Sequence, residues 1–279
     1  RLDEAEASYT QAIALKPDFA EAHSNLGITL KELGRLDEAE ASYTQAIALK
    51  PDYAEAHSNL GNTLKELGRL DEALASYTQA IALKPDYAKA HSNLGITLYE
   101  LGRLAEAEAS YTQAIALKPD FAEAHNNLGI TLQKLGRLYE AEASYNQAIA
   151  LKPDYAEAHT NLGFALQELG RLDEAEASYK HAMVLKPDYT ETHNNLLFLY
   201  SGFTYDAPSY LKEARRYGCR IAEKVTSRFS SWSCEEEHQA LRVGFVSGDL
   251  KNHPVGFFLE GLINELSRTK VQLFAYPTN

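Results

Sequence analysis

An asparagine recurs six times along the chain at intervals of 34 residues. A carboxamide both donates and accepts hydrogen bonds, so each copy could bond the N–H and the C=O of a bound backbone together. The pattern therefore favours recognition of an extended peptide without regard to its sequence. The alternatives are hydrogen bonds to neighbouring helices, or simple retention after duplication of the repeat. The residues are Asn25, Asn59, Asn93, Asn127, Asn161 and Asn195.

Six histidines recur with the same spacing, each two residues before an asparagine. Zinc ligands must each lie about 2 Å from the ion, whereas equivalent atoms of adjacent repeats are separated by several times that distance. We therefore predict no metal site and assign these histidines to packing. They are His23, His57, His91, His125, His159 and His193.

Another histidine, His253, follows an apolar segment near the end of the chain. Open α/β sheets build their sites in the loops after their strands, and an imidazole there can act as acid, base or hydrogen-bond donor. The alternatives are a helix-capping or a solvent-exposed histidine. The nearby Gly244, Gly248 and Gly256 match neither phosphate-binding glycine motif, so no phosphate loop is predicted.

The repeated asparagines and histidines lie in a 34-residue unit that contains two helical patterns. The first pattern runs from Asp18 to Leu33, and Gly34 suits a left-handed helix end. The second begins at Asp37 and ends at Pro51, which cannot continue a helix. Small residues let the two helices approach closely, and Tyr43 is expected to fill the space between them. The complete repeats are 20–53, 54–87, 88–121, 122–155 and 156–189, after a lone second helix at 1–16.

Helix pairs of this kind stack into a right-handed solenoid with a concave face. At about 100° per residue, Asn25 lies beside the apolar stripe of the first helix rather than on it. Equivalent helices lie roughly 9–10 Å apart, which matches three residues of extended peptide at about 3.4 Å each. The neighbouring Glu21, Glu55 and Glu123, with Lys89 as the exception, predict a preference for ligands without strong negative charge.

Three segments are predicted along the chain: a solenoid at 1–200, a capping helix and linker at 201–240, and the start of an α/β domain at 241–279. The last segment has the order strand, loop, helix, strand, as in an open parallel sheet. Two strands and one helix are too few for a stable α/β domain. We therefore expect the chain to be a piece of a longer protein.

Composition excludes several classes of protein. With 45% hydrophobic and 24% charged residues the chain is not disordered, and no apolar run approaches the roughly 18 residues of a membrane span. The net charge of −12 arises within residues 1–189, which argues against nucleic-acid partners. Only Cys219 and Cys234 occur, as expected for free thiols in a cytoplasmic protein.

The repeats resemble the tetratricopeptide repeat in their 34-residue length, two helices, small-residue positions, second-helix aromatic and closing proline. Residues 241–254, Leu-Arg-Val-Gly-Phe-Val-Ser-Gly-Asp-Leu-Lys-Asn-His-Pro, are similar to the opening of the catalytic region of the protein O-GlcNAc transferase family, which includes SPINDLY-type proteins. In that family a tetratricopeptide superhelix precedes a two-lobed glycosyltransferase. Leu250 and Lys251 stand where animal members carry Phe and Gly.

The resemblance implies a parent enzyme that transfers GlcNAc, or another sugar, from a nucleotide sugar such as UDP-GlcNAc to protein Ser or Thr. It implies that His253 lies at the transfer site, that the asparagines line the acceptor groove, and that neither a catalytic metal nor another cofactor is needed. Residues 1–279 alone are expected to be inactive. The alternative is a non-enzymatic scaffold that binds protein or peptide partners, without nucleic acid or membrane.

Overall fold

A computed structural model describes residues 1–204, 207–224, 241–247 and 271–277. The chain divides into two compact units, Arg1–Ala222 and Glu223–Asn279. Five repeats of the first unit each consist of a first helix and a second helix. The first helices are α2 (Ala20–Glu32), α4 (Ala54–Glu66), α6 (Ala88–Glu100), α8 (Ala122–Lys134) and α10 (Ala156–Glu168). The second helices are α3 (Leu36–Leu49), α5 (Leu70–Leu83), α7 (Leu104–Leu117), α9 (Leu138–Leu151) and α11 (Leu172–Leu185), preceded in the chain by α1 (Leu2–Leu15).

Each first helix ends at a glycine, as the sequence predicts. Gly34 has φ +76°, a conformation that glycine adopts at little cost. Its N–H donates to the carbonyl of Lys31 at 2.9 Å, and the N–H of Arg35 donates to the carbonyl of Leu30 at 2.9 Å. These two bonds satisfy carbonyls that the helix end leaves open, and they turn the chain back into α3.

The two helices of a repeat touch where a glycine faces a tyrosine, in agreement with the predicted role of Tyr43. A Cβ atom placed on Gly27 would lie 2.8 Å from Cε1 of Tyr43. Tyr43 is 1% exposed, with Ala39 and Ala46 fully buried on the same helix. The phenol ring thus replaces the missing side chain and fills the layer between the helices.

The first helices lie on the inner side of the array. Each contacts the next first helix along the chain, from α2 through α10, more extensively than successive second helices contact one another. A stack that is closer on one side curves toward that side. The concave surface of the first unit is therefore built by the first helices.

Arginine bridges connect successive second helices on the other side of the repeats. Arg35 binds Glu38 of its own helix at 2.6 Å and Glu6 of α1 at 2.8 Å. The arrangement recurs with the second carboxylate 29 residues before each arginine. Arg103 is the variation, because it binds Glu106 while Leu74 occupies the position of the second carboxylate.

The first unit closes with α12 (Thr190–Leu199), a π-helical turn at Tyr200–Thr204 and α13 (Ala207–Lys224). The capping helix predicted within 201–240 corresponds to α13. Glu213 of α13 accepts a hydrogen bond from Nδ1 of His193 on α12 at 2.6 Å, and Tyr217 stacks on that imidazole at 5.3 Å between centroids. Both His193 and Glu213 are buried.

Two strands are described in the second unit, β1 (Leu241–Ser247) and β2 (Val271–Pro277). They pair in parallel, with Leu241 opposite Val271 and Ser247 opposite Pro277. The predicted linker, the helix predicted between the two strands and His253 lie outside the described residues. The catalytic role of His253 therefore stays a prediction.

Candidate peptide-binding groove

All six predicted asparagines lie on the first helices or on α12, and each is half-buried. We call Asn25, Asn59, Asn93, Asn127, Asn161 and Asn195 the asparagine row. The five repeats place this row on the concave side, because the first helices build that surface. Each asparagine therefore keeps part of its surface exposed.

The asparagine row is partly engaged within the solenoid. Nδ2 of Asn93 donates to Oδ1 of Asn62 at 2.8 Å, and Nδ2 of Asn161 donates to Oδ1 of Asn126 at 3.0 Å. Asn127 accepts from Asn126 at 3.4 Å. The alternative that these residues bond neighbouring helices is therefore correct for part of the row. Each engaged carboxamide still keeps a second N–H or a carbonyl lone pair for a ligand.

The remaining members of the row have no internal hydrogen-bond partner. Within the described ranges, no residue bonds the side chains of Asn25, Asn59 or Asn195. Amide groups at a half-buried surface are either solvated or bonded to a ligand. These three positions are consequently the most direct candidates for contacts with a bound backbone.

The repeated histidines hold the turn that precedes each first helix. Nε2 of His23 lies 3.0 Å from the carbonyl oxygen of Pro17, and the same bond recurs in each repeat up to His193 and Pro187 at 2.9 Å. Among the described residues, no group of three or more His, Cys, Asp or Glu side chains is arranged to hold a metal ion. The histidines thus have a structural role in the turns.

An apolar row runs beside the asparagine row, three residues further along each first helix. Ile28 is 39% exposed, Phe164 38% and Phe198 54%. Exposed side chains of this size at equivalent positions provide contact area for a ligand. Asn62 interrupts the row, and its Oδ1 accepts hydrogen bonds from the hydroxyl of Tyr77 and from Asn93 at 2.8 Å each. The row is Ile28, Asn62, Ile96, Ile130, Phe164 and Phe198.

The glutamates beside the asparagine row form ion pairs with lysines from the end of the same repeat, a feature that the sequence analysis did not predict. Lys84 binds Glu55 at 2.9 Å, and this hydrogen bond lowers the pKa of Glu55. The expected repulsion of anionic ligands is therefore weakened. In the third repeat Lys89 replaces the glutamate, so two lysines, Lys89 and Lys118, occupy the positions of an ion pair.

A groove with a volume of about 510 Å³ lies on the concave side of the last repeats. We call it the aromatic pocket. Its apolar wall includes Tyr99, Ile130 and Phe164, and two members of the asparagine row, Asn161 and Asn195, open onto it. Lys134, Gln133, Tyr145, Glu168 and Glu191 complete the lining. The residues at 99, 134 and 164 differ from those at the equivalent positions of other repeats. These differences are the sequence signal that could have identified the pocket.

No helix in the described part of the chain has both the length and the apolar character to cross a membrane.

Comparison with solved structures places the array among known helical repeat proteins. YrrB, described as a TPR protein with an unusual peptide-binding site, is 23% identical and aligns over 67% of this chain and 96% of its own, with a TM-score of 0.55. MamA is 26% identical over 58% of this chain and 95% of its own, with a TM-score of 0.54. The pilF protein of Pseudomonas aeruginosa is 19% identical over 81% of this chain and 95% of its own, with a TM-score of 0.62.

Sequence comparison agrees with this fold and points to one family. No curated protein matches the chain. A family model described as "Cilia and flagella-associated protein 70 C-terminal domain", a tetratricopeptide-repeat model, matches residues 6–230, which is most of the sequence. The helix pairs, the Gly–Tyr contacts and this match agree on the repeat type. The chain belongs to the tetratricopeptide-repeat family of the Cilia and flagella-associated protein 70 C-terminal domain.

Proposed function

We propose that the first unit is a protein-interaction scaffold that binds an extended segment of a partner protein along its concave side. The observation that carries this proposal is the asparagine row, six half-buried carboxamides at equivalent positions of a regular array. Three of them, Asn25, Asn59 and Asn195, have no bonding partner among the described residues.

The spacing of the repeats fits the repeat of an extended chain. Equivalent helices roughly 9–10 Å apart match about three peptide residues. Each carboxamide can then meet a backbone group of every third residue, which supplies affinity that does not depend on the ligand's sequence. YrrB, which has the same fold and is described as having a peptide-binding site, adds support.

The test replaces Asn59 and Asn127 by Ala, because neither side chain holds another residue by a short hydrogen bond. A labelled library of extended peptides is titrated against both proteins by fluorescence polarisation. At about 0.5–1.5 kcal/mol for each lost hydrogen bond, the variant should bind roughly tenfold more weakly or worse.

The matched control replaces Gln79 and Gln113 by Ala, two exposed amides on second helices. This variant should bind as the original protein does, and circular dichroism should show all three proteins equally helical. Equal affinities of the asparagine variant and the original protein would remove the asparagine row from the binding site.

A second candidate function is sugar transfer to protein Ser or Thr by a glycosyltransferase that includes residues 241–279. It is supported by the resemblance of residues 241–254 to the O-GlcNAc transferase family, and the parallel pairing of β1 with β2 is compatible with it. The family model and the similar structures do not point to this activity. In this proposal the solenoid presents the acceptor and UDP-GlcNAc is the donor.

Sugar transfer is tested on the full-length gene product with labelled UDP- and GDP-sugars and a Ser-containing acceptor peptide. We expect transfer from at least one donor and strongly reduced turnover in a His253→Ala variant, with peptide binding unchanged. Absence of transfer from every donor would leave the scaffold as the function.

A further inference from the structure

The five repeats are nearly identical, and their differences on the first helices collect on the concave side. The residue at position 99 is Tyr where the first two repeats carry Lys31 and Lys65. The residue at position 134 is Lys where every other complete repeat carries Glu, and the residue at position 164 is Phe where three other repeats carry Ile. All three changed residues line the aromatic pocket.

Two of these changes remove an ion pair that crosses between repeats. Lys31 binds Glu66 at 2.6 Å and Lys65 approaches Glu100 at 3.8 Å. At the next junction the corresponding residues are Tyr99 and Lys134. An aromatic ring and an uncompensated cation thus replace a salt bridge at one place on the inner surface.

The ammonium group of Lys134 is available to pair with a charged group of a ligand. It has no ion pair or hydrogen bond within the described ranges. Glu168, which lines the same pocket, accepts a hydrogen bond from Gln133 at 2.9 Å. The other carboxylate of the described lining, Glu191, accepts one from Tyr189, also at 2.9 Å. Lys134 is the one cation in the described lining and has no such partner, so together with the apolar wall it is complementary to a ligand that combines an apolar group with a carboxylate.

We propose that the aromatic pocket selects peptides with a large aromatic side chain followed within two residues by an acidic one. The aromatic side chain packs against Tyr99, Ile130 and Phe164, and the carboxylate pairs with Lys134. Two residues of an extended chain span about 7 Å, a distance that the flexible Lys134 side chain can bridge. This inference rests on the proposed function, since the asparagine row holds the backbone of the same peptide through Asn161 and Asn195.

Four labelled peptides of about nine residues, enough for roughly three repeats, provide the test. They share a Ser/Thr background and differ at two positions, carrying Phe and Glu, Ala and Glu, Phe and Gln, or Ala and Gln. The Phe and Glu peptide should bind about tenfold more tightly than either singly substituted peptide. Its advantage over the Phe and Gln peptide should shrink at high salt.

The protein variants restore residues found at the same positions of other repeats, so they keep the fold. Tyr99→Lys with Lys134→Glu recreates the pair formed by Lys31 and Glu66, and Phe164→Ile restores the common apolar residue. The double variant should reverse the preference between Glu and Gln, and Phe164→Ile should weaken Phe peptides alone. Tyr139→Asp is the control, because Tyr139 is a 75% exposed departure on the second helix of the same repeat.

The two proposals fail in different ways. If the peptides bind and Asn59→Ala with Asn127→Ala weakens them, but the four peptides bind equally, the pocket selectivity is wrong and the scaffold stands. If Lys134→Glu alone, without the change at position 99, keeps the preference for Glu, Lys134 is not the carboxylate contact. If none of the four peptides and no library peptide binds, the scaffold proposal itself is overturned.

Discussion

At the scale of single residues, the packing depends on the contact between a glycine and a tyrosine in each repeat. A Cβ on Gly61 would lie 2.7 Å from Cε1 of Tyr77, a ring that is fully buried. Burial also raises the pKa of the Tyr77 phenol, so the ring stays neutral at physiological pH. The ring cannot yield without disturbing the layer between α4 and α5.

Gly61→Ala should therefore destabilise the solenoid although alanine favours helices. Overpacking costs typically about 1–3 kcal/mol, and the helix preference returns about 1 kcal/mol at most. Urea unfolding of Gly61→Ala should therefore show a net decrease in the free energy of unfolding. Gly68→Ala separates the causes, because Gly68 has φ +77° and open space around it, so its cost is backbone strain alone. An unchanged or higher midpoint for Gly61→Ala would mean that the helices can move apart freely.

The paired lysines of the third repeat allow a second test at this scale. Lys89→Glu should form the ion pair with Lys118 that Lys84 makes with Glu55. Exposed pairs contribute about 0.2–1 kcal/mol, so the unfolding midpoint should rise slightly at low salt and return at high salt. Lys89→Gln removes the repulsion without adding a partner and should give a smaller rise. Equal stability of both variants would show that the residues do not meet.

At the scale of helices, the sequence predicts where the helices begin and end but does not predict every contact between them. The 34-residue period locates the helix pairs, and Gly34 and Pro51 mark their ends because both act locally. Pairs 29 residues apart, such as Lys84 with Glu55, depend on the tilt between helices, which no local pattern contains. The aromatic pocket is lined by residues at positions where the repeats differ, and the repeated pattern contains no information about those positions.

The contact between α12 and α13 yields a prediction for one element. Glu213→Ala removes the partner of Nδ1 of the buried His193. Loss of this buried, charge-assisted hydrogen bond costs about 1.5–3 kcal/mol, which should loosen α13 without unfolding distant repeats. Hydrogen exchange should become faster across Ala207–Lys224 and stay unchanged in α2 to α5. The exposed Lys212→Ala is the control, and uniform acceleration along the chain would contradict a local role for the pair.

At the scale of the whole repeat array, stability is a sum of the repeats and the interfaces between them. Most interfaces include an arginine bridge, such as Arg137 with Glu108 at 2.7 Å. At Arg103 the second carboxylate is replaced by Leu74, which is half-buried and packs against the core around Tyr111. That interface exchanges an exposed ion pair for apolar contact.

The exchange at Leu74 should make this interface the least sensitive to salt. Half-burial of a leucine is worth about 1 kcal/mol, and an exposed ion pair is worth about 0.2–1 kcal/mol before screening. Leu74→Glu should therefore change the urea midpoint little at low salt, when Arg103 gains a partner, and lower it at high salt, when the partner is screened. Glu108→Leu replaces the carboxylate beside Arg137 by an apolar side chain and should lessen the salt dependence of the urea midpoint. An unchanged midpoint of Leu74→Glu at high salt, where the new ion pair is screened, would show that the apolar contact of Leu74 does not stabilise this interface.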